Sequence, residues 1–202
     1  MFNSITPSGF FGTETKNIVV LNNFLDEEER LFLLDIAKKI DTFDPSTNDT
    51  WKDRVAGVAV LDSIDKRAAQ TIMQIQQRLK PIIEGHFNCT VTATGPSIVK
   101  WIPGHVQPPH ADKEEWQEPN VGKPNHSPHY DIGNIIYLND DYEGGELYFP
   151  QHDLQFKPEN GTAAFFPGDR NYLHGVTEIT SGIRYTLPTF WTITAHHDST
   201  NQ

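Results

Sequence analysis

The sequence holds a single cysteine, Cys89, in 202 residues. A lone thiol excludes an intramolecular disulfide framework, and its default place is as a small buried apolar side chain. That suits a reducing compartment. Basic residues are also scarce: 16 Lys and Arg stand against 27 Asp and Glu, for a formal charge of −11. A surface of that sign repels phosphate backbones, which argues against nucleic acid as a partner and against a nucleic-acid demethylase. No apolar run approaches the ~20 residues of a membrane-spanning helix. The first twenty residues lack the basic start and apolar core of a signal peptide. The expectation is a cytoplasmic protein with no membrane partner.

What is present fits one domain, 1–202, since a chain of this length buries about 70% of its unfolded surface. Residues 1–16 are polar and read as a loosely tied arm. An apolar strand at 18–21 precedes an acidic helix start, Asp26-Glu27-Glu28-Glu29, which complements the helix macrodipole. Phe32, Leu33, Ile36, Ala37 and Ile40 then recur at helical spacing, so the helix runs to about 40. A loop covers 41–53, a strand 55–61, and a second helix about 63–87, kinked or restarted at Pro81. From Thr90 the texture changes to short apolar runs at 91–99, 133–138, 146–149, 154–157, 163–166, 173–177 and 184–191. Turn residues such as Gly144-Gly145, Pro167-Gly168-Asp169 and Ser181-Gly182 separate them. The pattern predicts a mainly β fold with α (α+β): a double-stranded β-helix, jelly-roll or cupin-like, over 90–195, buttressed by helices in 1–89. The polar stretch 113–129 is too long for a hairpin connection and reads as a lid or binding loop.

The chemistry gathers at Pro108-Pro109-His110-Ala111-Asp112. In an extended segment, side chains two apart leave on one face, so His110 and Asp112 can offer an imidazole nitrogen and a carboxylate oxygen to one divalent metal. A second histidine from a distant strand completes the facial triad of a non-haem Fe(II) oxygenase, with positions open for oxygen and a chelating co-substrate. His174, in Tyr172-Leu173-His174-Gly175-Val176, is the candidate. Arg184 follows ten residues later, beyond the Ser181-Gly182 turn. Antiparallel neighbours joined there would put His174 and Arg184 in one pocket. 2-Oxoglutarate chelates iron through its keto-acid end and needs a cation for its far carboxylate, which a guanidinium fork supplies. His126 and His129 lack a third ligand of known geometry and read as loop residues; Trp191 reads as core.

These residues resemble the Fe(II)/2-oxoglutarate-dependent dioxygenase superfamily, and more narrowly its prolyl 4-hydroxylase family. Ile135-Ile136-Tyr137-Leu138-Asn139-Asp140-Asp141-Tyr142-Glu143-Gly144-Gly145-Glu146-Leu147-Tyr148-Phe149-Pro150 is similar to the family's strand, Gly-Gly turn and strand. Gly161-Thr162-Ala163-Ala164-Phe165-Phe166-Pro167, His174-Gly175-Val176 and Gly182-Ile183-Arg184-Tyr185-Thr186 continue the likeness in order, so it spans about 18–193. The resemblance implies His110, Asp112 and His174 as iron ligands and Arg184 as partner of the far carboxylate. Tyr137 and Thr186 add hydroxyls to the same end. Trp101 stands where the family usually has tyrosine, and its indole donates one hydrogen bond and accepts none. The implied reaction splits 2-oxoglutarate with O2 to succinate and CO2 while hydroxylating a C–H bond, with ascorbate commonly used to rescue the iron. Asp112 favours hydroxylation over halogenation. The implied substrate is a Pro-containing peptide or protein. A small molecule, another side chain, or an idle jelly-roll binding module stand as alternatives.

Overall fold

The computed structural model describes residues 6–46 and 51–197. Thirteen strands and three α-helices lie along them: β1 Val19–Leu21, α1 Glu27–Lys38, β2 Val55–Gly57, α2 Val58–Ile64, α3 Ala68–Phe87, β3 Cys89–Ala93, β4 Ser97–Trp101, β5 Gln107–His110, β6 Ile132–Tyr137, β7 Glu143–Gly144, β8 Leu147–Phe149, β9 Leu154–Phe156, β10 Ala163–Pro167, β11 His174–Val176, β12 Ile179–Ser181 and β13 Arg184–His196. All pairings are antiparallel. The larger sheet runs β1-β10-β6-β13-β4-β2 with β3 also on β13; the smaller runs β5-β11-β8-β9, and β12 pairs β7. This is the expected double-stranded β-helix.

The helices bury their apolar faces on one side of the larger sheet. Leu33 and Ile36 of α1 and Ile72, Ile75, Leu79 and Ile83 of α3 share a core with Ile132, Ile136, Leu187, Trp191 and Ile193. Asp26 caps α1 by accepting from the Glu29 N–H at 2.8 Å, which satisfies a backbone donor the helix leaves free. Alternation along β13 then decides what faces the other way. Tyr185, Leu187 and Trp191 belong to the helix-side core, while Arg184, Thr186, Pro188 and Phe190 line a cavity between the sheets. Pro188 in so central a strand has a local cause. Pairing with β4 ends at Thr186 and pairing with β3 starts at Trp191, so its missing N–H faces a gap in the sheet.

Several local expectations change. The run 55–61 is not one strand: β2 stops at Gly57, whose N–H donates to the Asp44 carboxylate at 2.9 Å, and α2 begins at the next residue. Residues 91–99 split into β3 and β4 around Thr94-Gly95-Pro96. Helix α3 starts at Ala68 and continues through Pro81, which is exposed, so the carbonyl it leaves unbonded meets water. The arm is strapped down rather than loose from residue 6 on. Asn171 Nδ2 donates to the Gly12 carbonyl at 2.9 Å, and Lys113 Nζ to that of Thr6 at 2.7 Å. Residues 1–5 of that arm, and 47–50 of the loop 41–53, lie outside the described residues.

Candidate metal centre

β5 and β11 are neighbours in the smaller sheet, and His110 sits directly opposite His174. Each ring is oriented by its own chain in the same way. His110 Nδ1 lies 3.1 Å from the Pro108 carbonyl oxygen, and His174 Nδ1 lies 3.1 Å from that of Tyr172. A carbonyl only accepts, so in the neutral ring Nδ1 carries the proton and Nε2 keeps its lone pair. Burial holds both imidazoles below their usual pKa, His174 well below. Asp112, two residues past the end of β5, brings Oδ1 to 3.6 Å from each Nε2. One ligand atom from each of the three lies within 4.8 Å of the others, and they are the one such group among the described residues.

The carboxylate is held by its backbone. Its N–H donates to the Gly168 carbonyl at 2.8 Å, and its own carbonyl accepts from Asn125 Nδ2 at 3.0 Å. Asp112 Oδ2 is buried without a hydrogen-bond partner, and burial pushes the carboxyl pKa up to about 8. A buried carboxylate oxygen with no donor is costly. A divalent cation held by the Asp112 carboxylate and the two Nε2 lone pairs would offset that cost by balancing the buried charge, so the donor set fits a metal. Gly133 makes the room: a Cβ there would lie 2.7 Å from Asp112 Oδ2.

The three residues line one side of a cavity, and Arg184 lines another. His174 and Arg184 are not hairpin neighbours as their spacing suggests. Between them β12 turns aside to pair β7, so the two meet across the sandwich, one from each sheet. Arg184 is 1% exposed and takes part in no ion pair among the described residues. Its Nη2 donates to the Tyr137 hydroxyl at 3.2 Å, and its guanidinium lies 5.1 Å from the Trp101 ring centroid. Trp101 and Thr186 line the cavity as expected. Tyr137 stands behind Arg184 as its acceptor rather than in the lining. Burial raises its pKa, so the phenol stays neutral and its O–H remains available to donate.

A second space, about 1090 Å³, opens outward from the first past Trp51, His110 and Phe190. The stretch 113–129 forms its far wall through Asn125, His126 and Ser127. That stretch is pinned by the buried Lys113–Asp131 ion pair at 2.6 Å, and Tyr130 stacks on Phe190 at 4.1 Å. His126 is thus a wall residue, and Trp191 is core, donating to Asn134 Oδ1 at 2.8 Å. The sequence reading passed over Trp51, Arg54 and Gly133. Only Gly133 carried a signal, being a glycine inside an apolar strand, which marks close approach by another group.

Residues 96–192 match the family model of the 2OG-Fe(II) oxygenase superfamily. Human prolyl 3-hydroxylase 2 is 25% identical over 217 aligned residues, covering 87% of this chain and 29% of that protein. Mouse prolyl 3-hydroxylase 3 is 24% identical, covering 71% of this chain and 22% of that protein. The chain therefore spans less than a third of the length of these curated relatives. Among solved structures, the viral collagen prolyl hydroxylase of Paramecium Bursaria Chlorella virus-1, in its 2OG complex, superposes with a TM-score of 0.60 at 16% identity over 93% of this chain and 99% of the other. A Pseudomonas putida prolyl-4-hydroxylase gives 0.61 at 15% identity over 87% and 92%. At such identities the likeness is one of fold. The matched segment contains His110, Asp112, His174 and Arg184 in the order and places just described, and over that segment the chain is similar to the 2OG-Fe(II) oxygenase superfamily.

Proposed function

We propose that this chain is an Fe(II)- and 2-oxoglutarate-dependent prolyl hydroxylase acting on a peptide or protein. The observation that carries the reading is the pairing of a buried His-Asp-His cluster with an unpaired buried arginine across one cavity. His110, Asp112 and His174 would hold ferrous iron. The bound iron supplies the redox chemistry by which O2 and 2-oxoglutarate yield succinate and CO2 while a C–H bond becomes C–OH. Arg184 gives the far carboxylate of 2-oxoglutarate a guanidinium in a low-dielectric wall. Tyr137, which accepts from Arg184, has its own O–H left to donate to that carboxylate, and Thr186 offers a second hydroxyl. Trp101 covers this end and keeps water out. Ascorbate would serve as reductant for iron oxidised between turnovers.

The outer groove suits a neutral, extended segment. Apart from Asp112 its lining among the described residues carries no carboxylate, lysine or arginine, and Trp51, Tyr130 and Phe190 bring aromatic rings to it. Such faces favour proline rings and preformed polyproline geometry. We assign the attack to C4 of proline; attack at C3 is the second reading, favoured by the likeness to prolyl 3-hydroxylases. We read 1–202 as one catalytic domain. Among the described residues no helix is long and apolar enough to cross a membrane, and a buried free Cys89 suits the cytoplasm. The test is succinate release stimulated by Pro-rich peptides, with a single added oxygen on proline by mass spectrometry and amino-acid analysis to separate the isomers. His174→Ala should abolish turnover. Turnover of a free amino acid without peptide stimulation would overturn the peptide assignment.

A further inference from the structure

Trp101 is flanked by two guanidinium groups. Arg184 lies opposite it in the β4–β13 register, and Arg54, just before β2, reaches it from the strand on the other edge of β4, which runs between β13 and β2 in the sheet. The ring centroid is 5.1 Å from the Arg184 Cζ and 5.0 Å from the Arg54 Cζ. Arg54 is 8% exposed, its Nε and Nη1 have no hydrogen-bond partner, and it takes part in no ion pair among the described residues. A buried guanidinium with two of its nitrogens unbonded survives where an aromatic face replaces water, and indole is the strongest such face. Trp51 packs edge-on to the same indole at 5.8 Å, so the ring is confined on several sides. A tyrosine here would offer a smaller ring for two cations to share.

We propose that Arg54 is a positioning residue for the co-substrate pocket: its guanidinium holds Trp101 against Arg184, so that the indole keeps the carboxylate end of the cavity closed. The inference rests on reading Arg184 as the anchor of 2-oxoglutarate. Trp101 and Arg54 are then one device, and the tryptophan that departs from the family's usual tyrosine is there to serve two arginines.

The experiment measures 2-oxoglutarate binding by titration of the metal-loaded protein, together with turnover. Arg54→Met should weaken binding about fivefold, in the range of a lost cation–π contact, with ferrous uptake and kcat at saturating co-substrate unchanged. Arg54→Lys, which keeps the charge, should lose about half of that factor and carries the same tests if the Met variant does not fold. In a Trp101→Tyr background Arg54→Met should have less than a twofold effect, since the cycle isolates the pair. Unchanged binding in Arg54→Met, or the same factor in both backgrounds, refutes the proposal. A second readout needs no ligand: the near-ultraviolet circular dichroism that separates wild type from Trp101→Tyr should largely vanish in Arg54→Met. Wild-type protein that takes up no 2-oxoglutarate refutes the Arg184 reading instead, and the dichroism then decides the clamp alone.

Discussion

Replacing Gly133 with alanine should cripple metal binding while leaving the fold intact. The new methyl would lie 2.7 Å from Asp112 Oδ2 and 3.1 Å from the Phe166 ring, whereas unstrained contacts of this kind sit near ~3.5 Å. Something must retreat by roughly 0.8 Å. β6 cannot, because β10 and β13 pin it on both sides, and Phe166 is packed against His174 at 4.4 Å. The carboxylate is what gives. Site geometry has to hold within about 0.5 Å to stay productive, and disturbing a ligand's support commonly costs about 10- to 100-fold in affinity, or roughly 1.4–2.8 kcal/mol. Overpacking adds about 1–3 kcal/mol of global destabilisation. Anaerobic ferrous titration beside a thermal melt separates the two. A folded Gly133→Ala protein that binds iron as tightly as wild type would refute the assignment of Asp112 as a ligand in this geometry.

Arg184→Met should weaken 2-oxoglutarate binding by about 10- to 150-fold, the value of a charge-assisted pair at ~1.5–3 kcal/mol, and Arg184→Lys should not restore it; wild-type affinity in either variant counts against the anchor. The Asp112 carboxyl, raised to about 8 by burial, makes metal-free stability greatest below the unfolded value near 3.8 and reduces it as pH climbs through about 8. Melts of apoprotein between pH 5 and 8 should show that fall, and Asp112→Asn should flatten it. Since metal displaces the same proton, ferrous affinity should rise across the same window. Lys113→Met breaks the buried Lys113–Asp131 ion pair and should cost about 3–5 kcal/mol in urea unfolding; a loss under 1 kcal/mol would mean the pair is not the brace it is taken for.

The fold class was legible because it rests on alternation and turn residues, which survive in one sequence. The candidate triad stood out through order: His110 and Asp112 alone are a common chance pairing, and only His174 and Arg184 downstream made them a site. What misled was connection. The nine residues between His174 and Arg184 look like a hairpin, yet β12 leaves to pair with β7, and spacing alone cannot say which partner a strand takes. Residues 55–61 misled for a different reason: an apolar run has no periodicity to distinguish strand from helix, and the Asp44 carboxylate that stops β2 lies eleven residues upstream of Val55 in a loop. Arg54 was invisible, since nothing local distinguishes a buried arginine from a solvated one.

The division of labour between the sheets has a mechanical consequence. His110 and His174 ride on one layer and Arg184 on the other, so a dicarboxylate spanning them is a rivet through the sandwich. Prising the layers apart then means losing the guest, and resistance to unfolding grows with its concentration, by about 2.7 kcal/mol at a hundredfold excess over its dissociation constant. The bound small molecule thus becomes part of the architecture it reacts in.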